Sequence, residues 1–322
     1  MVNKDRIQVS GLLPVNKESG VISKDVERKI VSRFGRFKIG HVGTLDPMAS
    51  GVLPLLFGDA TKLQDYFDSR KVYSISVTLG TVTDSFDITG KVVEKRCYEG
   101  ISLVRIEEVI KKYLGSIVQI PPVYSAVKFN GKALYSYAAR GKEEELDMNQ
   151  FKRKVYIYDI RVEDYSLSRI DLRVECSKGT YMRTLASDIG EDLGCGGCLS
   201  RIERICSSGI DIKECVCLDE ILQCSSMEEV QDKYMVAVSD LKLGIPTIEL
   251  KLDNKQVDRL FNGLELPYLK SNFMDDGVRK EGLFLFKNLG KVGLVELSEH
   301  KEDKDQNLDT GYVFIKLRRG IC

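Results

Sequence analysis

The sequence has no long apolar segment. Among its 322 residues, no uncharged apolar run approaches the roughly 20 residues that a helix needs to cross a bilayer. Met1–Ser10 alternates charged and apolar residues, whereas a secretory signal peptide needs an apolar stretch. These absences predict a protein without membrane contact, located in the cytoplasm.

The chain also has no net charge. Its 48 basic and 48 acidic side chains cancel, so composition gives no general argument for nucleic-acid binding, although local basic patches remain open. Its 43% apolar content and 27 glycines are ordinary for a globular protein and exclude a disordered or collagen-like chain. The length allows roughly two domains with buried cores.

Patterns that bind metals or cofactors are scarce. The two histidines, His41 and His300, are far in sequence from the Cys195–Cys198 pair, which lacks the second C-x-x-C of a zinc ribbon. Nine cysteines, an odd number, in a chain without secretory features indicate reduced thiols. No phosphate-binding loop is present, and no G-x-G-x-x-G follows a strand. We therefore expect neither a metal nor a nucleotide cofactor.

Hydrophobic periodicity predicts a mixed α/β or α+β body. Helical spacing predicts three helices that each end at a glycine: Lys24–Phe34 with Ser23 at its start, Leu103–Leu114, and Tyr181–Leu193. Alternation predicts two strands, Lys71–Gly80 and Lys91–Lys95, and a pair of strands, Val155–Arg161 with Ile170–Cys176.

The pattern changes near residue 241, so we expect a first domain over residues 1–240 and a small β-rich domain over 241–322. In the second part Asp253 caps a short helix that Gly263 ends. Its expected strands are Thr247–Leu252, Gly282–Phe286, Lys291–Leu297 and Tyr312–Leu317, with a hairpin turn at Asn288–Gly290 and a charged loop at His300–Asp309.

Gly40–Pro54 is the densest special segment. Three glycines and two prolines predict a tightly determined loop rather than a helix or a central strand. The loop holds His41 and Asp46, and Pro47 restricts Asp46 to an extended or turn conformation. Asp46 either caps nearby backbone amides or presents its carboxylate for chemistry.

Several blocks, in order, resemble the bacterial tRNA pseudouridine-55 synthases (the TruB type). The similarity covers about residues 7–210 and fades beyond them. The blocks are Gly40–Pro54 with Gly58–Lys62, Lys71–Tyr73, Leu79–Gly80, Thr83–Asp84, Gln119–Lys128, Asn130–Lys132, Leu134–Tyr135, Cys176–Thr184 and Gly190–Cys195.

The resemblance implies a pseudouridine-synthase fold of α+β class: a mixed, largely antiparallel sheet with flanking helices, followed by a C-terminal PUA-like RNA-binding domain. It implies isomerisation of uridine 55 in the T-loop of tRNA, by base flipping, glycosidic bond cleavage and re-attachment through C5. The reaction needs no cofactor and no metal. The implied partner is the T-arm of tRNA, with no obligate protein partner and a monomeric enzyme.

The resemblance also assigns site residues. It places the catalytic aspartate on Asp46, the base-stacking histidine on His41, and the ring that packs on the flipped uracil, a candidate proton acceptor, on Tyr73. The remaining pocket residues are Arg183 as the ion-pair partner of Asp46, the second pocket tyrosine Tyr181, and the apolar wall Ile202. Ile202 stands where the family more usually has leucine, a swap that conserves volume.

Residues 128–154 resemble the insertion with which the family grips RNA. The segment carries seven basic and four acidic residues, interleaved with Phe129, Tyr135 and Tyr137, which suits phosphate contacts and base stacking. The expected RNA-binding residues are Lys128, Lys132, Lys152, Arg153 and Lys154.

The chain departs from the family pattern at two places. Lys17-Glu18 replaces Lys-Pro at the first turn, which puts the rigidity of the turn in doubt, and Glu203-Arg204 replaces Arg-Arg, which removes a positive charge near the RNA. Two alternative functions remain, namely a guide-RNA-dependent synthase and a non-catalytic RNA-binding or tRNA-folding protein. The insertion argues against the first alternative, and intact Asp46, Tyr73 and Arg183 argue against the second.

Overall fold

The computed structural model describes residues 9–166, 168–250, 252–269, 282–288, 291–298 and 312–321. Its strands are β1 (Gly11–Lys17), β2 (Ile39–His41), β3 (Ser50–Phe57), β4 (Lys71–Leu79), β5 (Thr81–Thr83), β6 (Val92–Lys95), β7 (Gly115–Gln119), β8 (Lys128–Phe129), β9 (Lys132–Ala133), β10 (Arg153–Ser166), β11 (Arg169–Cys176), β12 (Gly197–Ser207), β13 (Ile210–Asp211), β14 (Val216–Cys217), β15 (Thr247–Glu249), β16 (Leu266–Leu269), β17 (Gly282–Asn288), β18 (Lys291–Ser298) and β19 (Tyr312–Gly320). Its α-helices are α1 (Ser23–Phe34), α2 (Leu103–Lys111), α3 (Tyr135–Ala138), α4 (Met182–Leu193), α5 (Leu218–Gln223), α6 (Met227–Tyr234) and α7 (Asn254–Phe261). No helix in these ranges combines the length and the apolar character needed to cross a membrane.

A ten-stranded sheet forms the centre of the molecule. Its main path is β14-β1-β3-β12-β4-β11-β10-β7, with β2 added to β3 and β13 to β12. The β1–β14 and β3–β12 pairs are parallel and the other pairs are antiparallel. Apolar side chains of α1, α2 and α4 share one buried core with the sheet. The expected mixed, largely antiparallel sheet with flanking helices is thus confirmed.

The three long helices are where periodicity predicts them, but Ser23 does not cap α1. The N-cap position belongs to Ile22, whose carbonyl accepts a hydrogen bond from Asp25 N. The buried Ser23 hydroxyl instead donates to Leu45 O at 2.9 Å and accepts from Leu45 N at 3.0 Å. Ser23 therefore ties α1 to the residue before Asp46, a long-range contact that local pattern cannot reveal.

The expectation that Gly40–Pro54 is all loop is wrong at both ends. Its start belongs to β2, and its end belongs to β3, a central strand buried along most of its length. Pro54 fits there because it lies opposite Pro14 of β1. Proline has no N–H, so these two residues cannot donate hydrogen bonds to each other across the strands. They lie opposite each other at a position of the antiparallel pair where no hydrogen bond is made between facing residues.

The strands expected at 71–80 and 91–95 are both present, but they do not pair with each other. The 91–95 segment does not pair with β4: β6 forms a separate two-stranded sheet with β5, directly after β4 in the chain. The strand neighbours of β4 are β11 and β12, which are more than 90 residues away in sequence. The pairing of β10 with β11, in contrast, is confirmed.

A separate five-stranded sheet, in the order β15-β17-β18-β19-β16, forms the C-terminal part. Asp253 and Gln256 form a capping box at the start of α7, as expected for Asp253. Asn288 pairs with Lys291, which confirms the β17–β18 hairpin, although its turn residues 289–290 and the charged loop at His300–Asp309 lie outside the described residues.

The C-terminal sheet packs against β1 and β3 on one face of the central sheet. Successive residues of β1 and β3 point to opposite faces, so Leu13 and Leu55 join the helix-side core while Leu12 and Leu56 join a second apolar cluster. This cluster includes Leu285, Val292, Leu294 and Ile321 from the C-terminal part. A chain ending near residue 240 would therefore expose Leu12 and Leu56 to water.

Candidate active site

Asp46 lies in the turn between β2 and β3, at the mouth of a cavity. Its main-chain carbonyl accepts from Ala49 N at 3.0 Å, and the next carbonyl, Pro47 O, accepts from Gly20 N at 2.7 Å. The contacts of its carboxylate do not favour the capping interpretation, because this group faces Arg183 and is 41% exposed. The backbone is fixed and the carboxylate remains accessible.

Arg183, in the first turn of α4, is a buried cation with three partners. Its Nε lies 2.9 Å from Asp46 Oδ2, its Nη1 lies 3.7 Å from Asp87 Oδ2, and its Nη2 donates to Tyr124 O at 2.9 Å. The guanidinium is 6% exposed, and burial at that level requires compensating acceptors. The structure thus brings together the two residues expected to pair.

Asp87 is a site residue that the sequence analysis missed. Its side chain is 8% exposed, and its Oδ1 accepts from Thr89 N at 2.9 Å and from Thr89 Oγ1 at 2.5 Å. The block of the resemblance in this region, Thr83–Asp84, ends three residues before it. The sequence pattern that indicates a fixed turn here is Asp87 two residues before Thr89, with Gly90 next to it.

A cavity of about 600 Å³ opens in front of the Asp46–Arg183 pair. Its wall is the loop between β5 and β6 together with the first turn of the chain. The lining residues are Gly20, Asp46, Pro47, Met48, Asp84, Ser85, Asp87, Thr89, Gly90, Lys91, Tyr124 and Arg183. The volume accommodates one nucleoside-sized group.

Tyr73 and Ile202 lie in the core beside this site. Tyr73, on β4, is 7% exposed and opposite Arg204 of β12. Burial raises the pKa of its phenol, and the Arg204 guanidinium partly offsets this. Ile202 is 7% exposed and opposite Ile75 of β4.

The expectation that Glu203-Arg204 lies near the RNA is wrong for Arg204. Arg204 is fully buried, with Nε donating to Val52 O and Nη2 donating to Gly43 O, both at 2.8 Å. It therefore holds both ends of the loop that contains Asp46. Glu203 is partly exposed and pairs with Arg201, so the changed charge of this chain lies on Glu203.

The first turn is held firmly without proline. The ammonium of Lys17, whose side chain is buried, donates to Glu18 O at 2.8 Å, Val21 O at 2.6 Å and Pro47 O at 3.3 Å. Burial lowers the pKa of Lys17 to about 8, while Asp46 raises it and Arg204 lowers it. Lys17 thus connects the first turn to the residue that follows Asp46, which removes the doubt about rigidity.

His41 and Tyr181 are held by polar contacts. His41, the last residue of β2, has both ring nitrogens in hydrogen bonds. Tyr181 precedes α4, and the Gln119 amide accepts from its N at 3.0 Å and donates to its O at 3.3 Å. Arg153 lies over the Tyr181 ring at 5.2 Å from the centroid.

The insertion at 128–154 is a small folded unit rather than an extended loop. Phe129 packs against Tyr137 and Phe151, with ring centroids 6.0 and 5.7 Å apart. Of the three aromatic residues expected to stack on RNA, only Tyr135 is largely exposed, at 54%. Four of the five basic residues expected to bind RNA are exposed, namely Lys128, Lys132, Lys152 and Lys154.

The C-x-x-C pair of the sequence does not face solvent. Cys195 and Cys198 are both buried, at 1% and 0% exposure. Burial raises the pKa of the Cys198 thiol to about 11, so it is protonated near neutral pH. Across the described ranges, no three histidine, cysteine, aspartate or glutamate side chains are grouped so as to hold a metal ion.

The sequence of this chain is similar to known proteins. The family model "TruB family pseudouridylate synthase (N terminal domain)" matches residues 28–182. The tRNA pseudouridine synthase B of Clostridium kluyveri is 37% identical over 262 residues, which is 80% of this chain and 86% of that protein. The protein of the same name from Francisella philomiragia is 41% identical over 222 residues, covering 68% and 72% of the two chains.

Solved structures share the fold. A chain of an H/ACA ribonucleoprotein bound to a substrate RNA containing 2'-deoxyuridine aligns with a TM-score of 0.69 and 20% identity, over 97% of this chain and 85% of that one. A chain of a Cbf5-Nop10-Gar1 complex aligns with a TM-score of 0.65 and 23% identity, over 89% and 78%.

Proposed function

The chain belongs to the TruB family of pseudouridylate synthases, and we propose that it converts uridine 55 in the T-loop of tRNA to pseudouridine. The observation that carries the proposal is the half-exposed Asp46 carboxylate, paired at 2.9 Å with the buried Arg183 in front of a nucleoside-sized cavity. The relatives that are 37–41% identical are named for the tRNA reaction, whereas the structures from ribonucleoprotein complexes are 20–23% identical. This difference favours an enzyme that acts on tRNA without a guide RNA.

Asp46 attacks the sugar or stabilises the charge that develops there as the N1–C1′ bond breaks. The freed uracil turns and rejoins the sugar through C5, and the C5 hydrogen leaves as a proton to solvent. A hydrolytic enzyme would need a second carboxylate to activate water. Two further carboxylates line the cavity. Asp87 is buried, with its oxygens facing Thr89 and Arg183, so it is not available as that base, and Asp84 accepts from Lys91 N through Oδ1.

Tyr73 packs on the flipped base through its ring. Burial raises its pKa, which disfavours the phenolate, so we assign the ring to packing rather than to proton abstraction. His41 stacks on an RNA base. Tyr181 and Ile202 do not line the cavity described above, and they contact the flipped base once the RNA is bound. None of these roles requires a metal or an organic cofactor.

The insertion and the C-terminal sheet bind the RNA outside the pocket. Exposed lysines of the insertion meet phosphates of the T-arm, and the C-terminal sheet acts as a PUA-like domain. The enzyme flips the uridine out of the folded loop before reaction. It acts as a monomer, in the cytoplasm where its substrate is found.

Release of hydrogen from C5 tests the function. The purified chain alone should release tritium from a tRNA transcript labelled at C5 of uridine, and the product should map to position 55. A chain that binds the transcript but releases no tritium would support the non-catalytic alternative. Activity that depends on an added guide RNA would support the other alternative.

A further inference from the structure

Glu27 is a buried carboxylate that the reaction does not use directly. It lies in α1 with its side chain 2% exposed. Its Oε1 is 2.5 Å from Nδ1 of His41, and its Oε2 pairs with the ammonium of Lys24, three residues earlier in the helix. Both carboxylate oxygens therefore have partners, as a buried carboxylate requires.

The contacts of Glu27 define where His41 carries a proton. Burial opposes ionisation of Glu27, but hydrogen bonds from His41 and Lys24 outweigh it and lower the carboxyl pKa. A carboxylate only accepts hydrogen bonds, so Nδ1 of His41 must be the donor. On the other side of the ring, Nε2 lies 2.8 Å from Oγ1 of Thr44.

We propose that Glu27 is a positioning residue that fixes the ring plane of His41 with a proton on Nδ1 and, through Nε2, orients Thr44 two residues before Asp46. This inference rests on the proposed function, in which His41 stacks on an RNA base. A ring that is already held in place loses less entropy when a base stacks on it. The four side chains Lys24, Glu27, His41 and Thr44 thus prepare the stacking surface before RNA arrives.

Nitrogen-15 NMR of histidine reads this arrangement directly, because the chain has only two histidines. A His300→Gln variant assigns the His41 signals. We expect a protonated Nδ1 in the wild-type protein. In Glu27→Gln, Lys24 holds the amide oxygen, so the amide NH₂ turns towards His41 and Nδ1 becomes an unprotonated acceptor. An unprotonated Nδ1 in the wild type, or a protonated Nδ1 in Glu27→Gln, would overturn the proposal.

Kinetics on tRNA test the consequence. Glu27→Gln should lower kcat/KM about tenfold, mainly through a higher KM, because a histidine ring that is no longer held in the required orientation must be immobilised when the base stacks on it. Asp25→Asn is the matched control: it makes the same change in the same helix, but on an acid that pairs with Arg28. An unchanged KM in a folded Glu27→Gln protein would contradict the proposal.

A second variant covers the case in which Glu27→Gln does not fold. Thr44 is exposed, so Thr44→Val should fold, raise KM and change the Nε2 signal while Nδ1 stays protonated. Wild-type KM and wild-type Nε2 frequency in Thr44→Val would overturn the proposal. Tritium release by the wild type is a separate result: its absence would refute the proposed function, while NMR would still decide the positioning of His41.

Discussion

The Nε of Arg183 lies 2.9 Å from Oδ2 of Asp46, and the two side chains differ sharply in exposure, at 6% and 41%. The cation is fixed inside the protein by Tyr124 O and Asp87, while the anion reaches into the cavity. The buried Arg183 thus holds the Asp46 carboxylate in an ion pair without closing its access to a ligand. The environment of the Asp46 carboxylate therefore suits a nucleophile better than a residue that caps backbone amides.

Asp46→Asn should abolish turnover and leave tRNA affinity nearly unchanged. Asparagine has the same shape but is not an anionic nucleophile, so the rate should fall by many orders of magnitude. Tritium release measures turnover and filter binding measures affinity. Asp59→Asn is a suitable control, because Asp59 is an exposed acid paired with Lys62. Substantial turnover by a folded Asp46→Asn protein would remove the nucleophile from the mechanism.

The helices and the Asp46–Arg183 pair follow from the sequence because each depends on a recognisable pattern: helical periodicity for α1 and α4, and block similarity for the pair. Lys17 and Arg204 could not be found this way. Sequence rules place lysine and arginine at the surface, and only the folded chain shows which carbonyls they meet. The prediction that Pro54 lies in a loop was wrong for a related reason, because its place in a central strand depends on Pro14 opposite it.

Tyr73→Phe should keep most of the turnover, whereas Tyr73→Leu should lose most of it. Burial raises the pKa of the phenol although Arg204 lowers it, so we expect the ring to act by packing rather than the hydroxyl to act as the base. Single-turnover tritium release on saturating enzyme separates the two variants. If Tyr73→Phe proves as inactive as Tyr73→Leu, the hydroxyl has a role in proton transfer.

Gly51→Ala should unfold or inactivate the protein, and Gly40→Ala should do neither. Gly51 has φ +100°, and a Cβ there would lie 2.2 Å from the backbone oxygen of Arg204. Strain and clash together should cost about 2 kcal/mol or more. A Cβ on Gly40 would meet nothing within 4 Å. Urea denaturation compares them, and equal free energies of unfolding would contradict this account of the loop.

Lys17 should make stability depend on pH above neutrality. Its pKa is about 8 in the folded protein and about 10.5 when unfolded, so between these values the unfolded chain binds more protons. This group therefore makes the free energy of unfolding rise with pH across that window, by at most about 1.4 kcal/mol per pH unit. Lys17→Met removes this contribution. Denaturation at several pH values should give a flatter curve for the variant, and parallel curves would refute the prediction.

Lys152 and Lys154 should contribute to the salt dependence of tRNA binding, and Arg153 should not contribute in the same way. The two lysines are exposed, whereas Arg153 is half-buried over the Tyr181 ring. Each lysine that meets a phosphate releases about one counterion, so reversing both to glutamate should lower the slope of log Kd against log salt concentration by about two. Reversing Lys29 and Lys111, which are exposed on α1 and α2, gives a control with the same change in net charge. Arg153→Ala should instead reduce turnover at saturating tRNA, because it removes the cation that packs on Tyr181. An identical salt slope in the Lys152/Lys154 variant and the control would show that this part of the insertion does not face the RNA.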